Sequence, residues 1–258
     1  MRLGVGTFRW AAPALGFAAL ALVAYLPWRE NPFHFDDRES ILEDAELRSP
    51  ARVLDSLSRG WFRFLTRLES SLILSAWGEN PVAFHTMALG VHLAAAALVG
   101  LLAAALARRD RLLGAPGPVG AAAFGFFALH PLNSEAVLYL SSAPDLLSLL
   151  FGVGAAWGVL RAWEAAQERR RAAAWGWGGA ALLLTALATL SKESGAMGWF
   201  LGLTLAGWRS ALAGRGSRPW IRTFLLSAIA MCLLVWAEGV QRGQGFWGLL
   251  RGDPHPPF

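Results

Sequence analysis

The chain predicts an all-α membrane bundle of about seven spans with a long first outer loop. Three observations predict it. Of its residues 55% are hydrophobic and only 16% charged, and the mean hydropathy of +0.42 is too apolar for a soluble protein of 258 residues. The apolar residues gather in long runs rich in Ala and Gly, without strand alternation or β-branched enrichment; since backbone in hydrocarbon must bond internally, these runs are helices rather than barrel strands. Arginines cluster in alternate connections, as the positive-inside rule requires of a chain that weaves through a bilayer.

The first run, Ala11 to Trp28, is nearly free of charge and close to the roughly twenty apolar residues that a spanning helix needs. It is longer than the apolar part of a usual signal peptide and ends in Leu26-Pro27-Trp28 without a small-residue cleavage site, so it is expected to be retained. The loop from about Arg29 to Asn80 mixes acids with Arg. Within it Trp61, Phe62, Phe64, Leu65, Leu68, Leu72, Ile73 and Ala76 recur at helical spacing, with Arg63, Arg67 and Glu69 between them, which predicts a helix lying in the membrane surface.

Further runs follow at Pro81–Ala107, Pro118–His130, Pro144–Trp163, Trp175–Leu190, Gly195–Leu212 and Phe224–Trp236. The third and fifth runs are short for a span and must borrow flanking residues. Small residues along Leu93–Ala107 and Trp175–Leu190 allow close approach of helix backbones. No repeat, linker or soluble domain is visible, so residues 1–258 read as one domain.

Basic charge marks the topology. The pI near 10.5 does not indicate nucleic acid, because the arginines sit at span ends rather than in a stripe interleaved with aromatics. Arg2 and Arg9 precede the first span; Arg108, Arg109 and Arg111 follow the second; Arg161 and Arg169 to Arg171 follow the fourth; Arg209, Arg215, Arg218 and Arg222 follow the sixth. All four sets are expected in the cytoplasm, with the N-terminus, which makes the Arg29–Asn80 loop non-cytoplasmic. Trp10, Trp28, Trp163, Trp175, Trp208 and Trp220 fall near span ends and read as interfacial anchors. Cys232, the sole cysteine, excludes an intrachain disulfide and reads as packing.

This topology brings three polar clusters to the outer face: Asp36-Asp37, the turn His130-Pro-Leu-Asn-Ser-Glu135, and Ser191-Lys-Glu193. In extended backbone the two aspartates point to opposite sides, so one can face a reacting group while the other holds a cation or braces the loop. A solvated acidic turn is the simpler alternative. Lys192 is the only lysine in the chain and reads either as an ammonium facing a phosphate or carboxylate, or as a side chain snorkelling from a helix end. His130 precedes Pro131, which disfavours helix and ends the span there. A capping His and a site His are both open.

The ordered set Asn31-Pro-Phe-His-Phe-Asp-Asp37, Phe62-Arg-Phe-Leu-Thr66, Phe84-His85 with His92, Ala128-Leu-His-Pro131, Glu135-Ala-Val137, Asp145-Leu-Leu147 and Leu190-Ser-Lys-Glu-Ser-Gly195 resembles a known family. Over about Pro27 to Gly195 the chain is similar to the GT-C membrane glycosyltransferases, in particular the transmembrane and tetratricopeptide-repeat O-mannosyltransferases and their bacterial relatives. Two positions depart from that pattern: Arg63-Phe64 stands where relatives commonly have Arg-Pro, and Ala143-Pro144-Asp145 stands where they often have an Arg before Ala-Asp. The length corresponds to the shared N-terminal module of that fold.

The resemblance implies an inverting glycosyltransferase that uses a polyprenyl-phosphate sugar, mannose-like, on the periplasmic, luminal or extracellular face, with a protein or glycan acceptor. It implies that Asp36 or Asp37, with Asp36 preferred, accepts the acceptor's proton, and that the other positions the base or holds a divalent cation. Lys192, with Arg63, would stabilise the departing lipid phosphate, and His130, Glu135 and Glu193 would line the site. The alternative from another class is a non-catalytic membrane protein that binds or translocates a lipid-linked sugar. A generic transporter ranks third, since its ionisable groups belong near mid-membrane.

Overall fold

Proline and glycine punctuation sets most of the helix ends. In the computed structural model, which describes residues 11–57, 63–108, 114–214, 222–223 and 225–229, every regular element among the described residues is helical. The helices are α1 (Ala11–Tyr25), α2 (Pro50–Ser56), α3 (Phe64–Trp77), α4 (Pro81–Ala107), α5 (Pro116–Leu129), α6 (Ser134–Leu138), α7 (Ala143–Gln167), α8 (Arg171–Ser191) and α9 (Met197–Leu212). Pro50, Pro81, Pro116 and Pro144 lie in the first turns of their helices, where a missing N–H costs nothing. Asn80 caps α4 by accepting from the Val82 N–H at 3.0 Å. Gly78, at φ +64°, ends α3 in the left-handed region that a side chain would resist. Two compact units result, residues 1–202 and 203–258, and the candidate site lies in the first.

Among the described residues three helical stretches are long and apolar enough to cross a membrane: Pro81–Ala107 (27 residues), Leu140–Gln167 (28 residues) and Arg171–Ser191 (21 residues). Ala12–Trp28 and Pro116–Leu129 are shorter apolar helices. The fifth run of the sequence therefore reaches spanning length by recruiting Arg171 to Ala174, whereas the third gains only Pro116 and Gly117 and stays short. The sixth run is the 16-residue α9. Of the seventh, only residues 225–229 are described, and they are helical; Cys232, Trp10, Trp220, Trp61 and Phe62 lie outside the described residues.

Close helix crossings hold the first unit together. A Cβ on Gly100 would come within 2.8 Å of the Gly120 carbonyl, and one on Gly158 within 2.9 Å of the Ala181 Cβ, so α4 packs on α5 and α7 on α8 at backbone distance. Small residues in α4 serve this packing as expected: Ala95 and Ala96 are fully buried. In α8 only part of the small-residue run does so. Ala181 and Ala188 are buried, while Gly176, Gly178 and Gly179 face open space and Trp175 and Leu183 are exposed, a surface suited to lipid.

One expectation needs correction. Trp163 is not an interfacial anchor: α7 continues to Gln167, so the residue lies a turn inside the helix and is buried. The apolar stripe of α3 is divided between core and surface: Phe64 and Ile73 are buried, while Leu72 and Ala76 are exposed. Thr66, Ser70, Ser71 and Ile73 are buried, with the Ser71 hydroxyl donating to the Leu47 carbonyl at 2.8 Å, while Leu72 and Trp77 point outward. The inner face of α3 must satisfy the carbonyls of an irregular loop, which serine and threonine do and leucine does not. Arg67, lying between, binds Asp44 at 2.9 Å and Glu46 at 2.7 Å and ties the loop to the helix.

Candidate active site

The turn after α5 exists because Pro131 stops the helix. His130 takes the extended conformation that the residue before proline prefers (φ −66°, ψ 125°), which leaves the last carbonyls of α5 without helical partners. Asn133 Nδ2 donates to the Phe127 carbonyl at 2.7 Å, and the buried His92 donates from Nε2 to the Ala128 carbonyl at 3.1 Å. His130 itself is the cap of the next turn, its Nδ1 accepting from the Leu132 N–H at 3.3 Å, with Phe126 edge-on at 4.9 Å. Glu135 starts α6 and is exposed. The segment then runs through Tyr139 and a single 3-10 turn, Leu140–Ser142, into α7.

That segment receives both aspartates. Phe35, at φ +46°, turns the chain sharply, and residues 36–42 are helical, not extended, so Asp36 and Asp37 are about 100° apart on a helix rather than on opposite sides of a strand. A left-handed conformation in a bulky residue is uncommon and is held here by its surroundings. Asp37 is buried, 2% exposed, with its carboxylate fully engaged: Oδ1 accepts from the Ser141 N–H and hydroxyl, each at 2.7 Å, and Oδ2 from the His34 N–H at 3.1 Å. Asp36 is exposed and neighbours Tyr139. Burial, and after it this neighbouring carboxylate, push the Tyr139 phenol above its ordinary value. His85, buried in the first turns of α4, donates to the Asn31 carbonyl at 3.1 Å and anchors the start of this loop.

With three donors on it, Asp37 braces the loop. Among the described residues no group of three or more His, Cys, Asp or Glu is placed to hold a metal ion.

Lys192 enters from α8. It is the C-cap of that helix, in extended conformation, and its Nζ donates to Asp145 Oδ1 at 2.5 Å. Asp145 sits in the first turn of α7 and Lys192 at the end of α8, so each charge is also favoured by its own helix dipole. The side chains are 29% and 50% exposed for Lys192 and Asp145, which makes this a surface ion pair open to a ligand. Thr66, in the first turn of α3, donates to the Ser191 carbonyl at 3.3 Å, and Arg63, one turn earlier, precedes α3 at φ +47°. Glu193 opens the turn after Lys192.

Asp37 therefore binds Ser141, and Lys192 binds Asp145, one helical turn further along the same segment. Two of the three polar clusters, Asp36-Asp37 and Ser191-Lys-Glu193, are thus tied to one segment, residues 139–145, whereas the hydrogen bond of His130 stays within its own turn. Arg108 at the end of α4 and Arg171 at the start of α8 lie at the opposite ends of their helices.

Four contributors carried no assigned role in the sequence: Ser141, Tyr139, Asp145 and Glu69. Asp145 had a signal, an acid directly after the proline of a helix start. Glu69 had one too, a carboxylate among leucines. It faces an outward apolar groove between α3, α4 and α7 lined by Leu65, Leu72, Met87, Leu147 and Phe151, and burial pushes its carboxyl up to about 7.

Fold and site together define an all-helical membrane protein with a carboxylate and ion-pair site at one end of its helices. The chain is similar to protein O-mannosyl-transferase Tmtc1 of Drosophila melanogaster, 34% identical over 147 residues covering 52% of this chain and 16% of that protein. It is also similar to human protein O-mannosyl-transferase TMTC4, 26% identical over 209 residues covering 72% of this chain and 28% of that protein. The resemblance to the protein O-mannosyltransferases is thus found over part of the chain, which itself spans less than a third of either relative. No family model matches the chain, and no solved structure matches it.

Proposed function

We propose that this chain is the membrane module of an inverting glycosyltransferase that moves a mannose-like sugar from a polyprenyl-phosphate donor to a hydroxyl of a protein or glycan acceptor, on the non-cytoplasmic face. The observation that carries the proposal is that one segment, residues 139–145, binds both Asp37, next to the exposed carboxylate of Asp36, and the cation Lys192. Transfer needs these two functions together. Asp36 accepts the acceptor proton as the hydroxyl oxygen attacks the sugar carbon; the bond from that carbon to the phosphate oxygen breaks, and the lipid phosphate leaves with the electron pair. Lys192, with Arg63 from the start of α3, stabilises the charge that grows on it.

The arginines at the opposite helix ends support the non-cytoplasmic side for the site. Asp37 positions Asp36 by fixing the loop, and His130 orders the turn that carries Glu135 and Tyr139. The test is incubation of the purified protein with a panel of polyprenyl-phosphate sugars and an acceptor peptide, reading release of polyprenyl phosphate. Acceptor-dependent release from the mannosyl donor is expected. Tight donor binding with no release from any donor would replace this reading with that of a binding or translocating protein.

A further inference from the structure

Asp145 has no part in the transfer chemistry, yet it is the group that the Lys192 ammonium touches. Its presence sets the charge balance of that end of the site. With Asp145 ionised the Lys192–Asp145 pair is neutral, whereas Lys192 alone would be a bare cation. An ammonium has three N–H donors, so a phosphate oxygen can bind Lys192 without displacing Asp145. The phosphate then lies within a few ångströms of a carboxylate.

We propose that Asp145 cancels the preference that a bare Lys192 would have for a doubly charged phosphomonoester over a singly charged phosphodiester, and so eases release of the spent lipid phosphate. This rests on the reading of Lys192 as the phosphate ligand. A sugar-phosphate diester carries one negative charge, and the monoester left after transfer carries between one and two near neutral pH, since its second pKa is about 6. Repulsion from Asp145 acts on each of these charges. At about 4 Å in a water-like dielectric one unit of charge corresponds to a factor of about five in affinity, a lower bound here because the Lys192 side chain is only 29% exposed. A carboxylate serving only to clasp α7 to α8 would add little, because exposed ion pairs contribute little to stability and the Gly158–Ala181 crossing already joins the helices.

The chain's single lysine provides the readout. Protein labelled with ¹⁵N at the lysine Nζ, in detergent micelles at low salt and pH 8, is titrated with farnesyl phosphate and, separately, with its methyl diester, following the Nζ resonance. In the parent both ligands should shift it, with comparable affinity. Asp145→Asn should tighten the monoester about fivefold more than the diester, and the difference should shrink as salt is raised. Asp145→Glu, which keeps the charge, should retain the parental ratio. If both ligands shift the resonance but Asp145→Asn leaves their ratio unchanged, the selectivity proposal is overturned while the phosphate reading stands. A resonance that neither ligand moves, in parent or variant, removes the phosphate reading and the proposal with it.

Discussion

Asp37 and Ser141 stand 104 residues apart in the chain and meet through two hydrogen bonds of 2.7 Å, one from the serine N–H and one from its hydroxyl. This contact fastens the loop after α1 to the segment that opens α7. It places Asp36 beside Tyr139 and brings the aspartate loop within one helical turn of the Lys192–Asp145 pair.

Removing the brace should therefore cost stability as well as activity. A hydrogen bond to a charged group contributes about 1.5–3 kcal/mol, and Asp37→Ala strands three buried or half-buried donors. A loss on the order of 3 kcal/mol or more is expected. Ser141→Ala, which keeps the backbone donor, should lose about half as much or less. Thermal unfolding in detergent checks the order; a parental melting temperature for Asp37→Ala would show that the loop is held by something else.

Glu69 should make stability fall as pH rises. Its folded carboxyl is raised to about 7 from an ordinary 4.5, so the folded state holds the proton more tightly than the unfolded one. Stability from this group is fully present below about 4.5 and is lost as pH climbs through about 7. Glu69→Gln, which stays neutral, should flatten the melting temperature across that window. An identical slope in parent and variant would assign it elsewhere.

Much of this fold was legible from apolar runs and from proline. Long runs marked α4, α7 and α8, and Pro131 marked the end of α5, because both signals are local. That Asp37 and Lys192 both reach residues 139–145 also followed in part, since helices that cross and return share their ends. What was not legible depends on contacts across helices. No spacing rule reaches from Lys192 to Asp145, 47 residues away. Likewise the outward aim of Leu72 and the burial of Ser71 were decided by the loop beneath α3 rather than by the helix's own pattern. The helical backbone at Asp36-Asp37 follows from the left-handed turn at Phe35, which a phenylalanine does not announce.

The crossing of α7 with the start of α9 separates two glycines sharply. A Cβ on Gly198 would run into the Gly152 backbone, whereas one on Gly152 meets its nearest atom, the Gly195 carbonyl, at 3.4 Å. Gly198→Ala should destabilise by about 1–3 kcal/mol through overpacking. Gly152→Ala, in mid-helix, should be neutral or stabilise by up to about 1 kcal/mol. Equal melting temperatures for the two variants would contradict this packing.

Topology can be read with single cysteines introduced after Cys232 is replaced. Phe35 and Leu132, both highly exposed at the site end, should label from the same side of a sealed vesicle, and Glu168, at the far end of α7, from the other. Labelling of Phe35 and Leu132 positions from opposite sides would break the common site.

The most direct test compares the parent with Asp36→Asn in acceptor-dependent release of polyprenyl phosphate from its mannosyl ester. Asparagine keeps the volume of the exposed Asp36 but cannot take a proton at neutral pH. Release should fall by about 10²–10⁴ with an unchanged melting temperature. Turnover close to the parent's in a folded Asp36→Asn protein would contradict the assignment of Asp36 as the base and, with it, the account of this site.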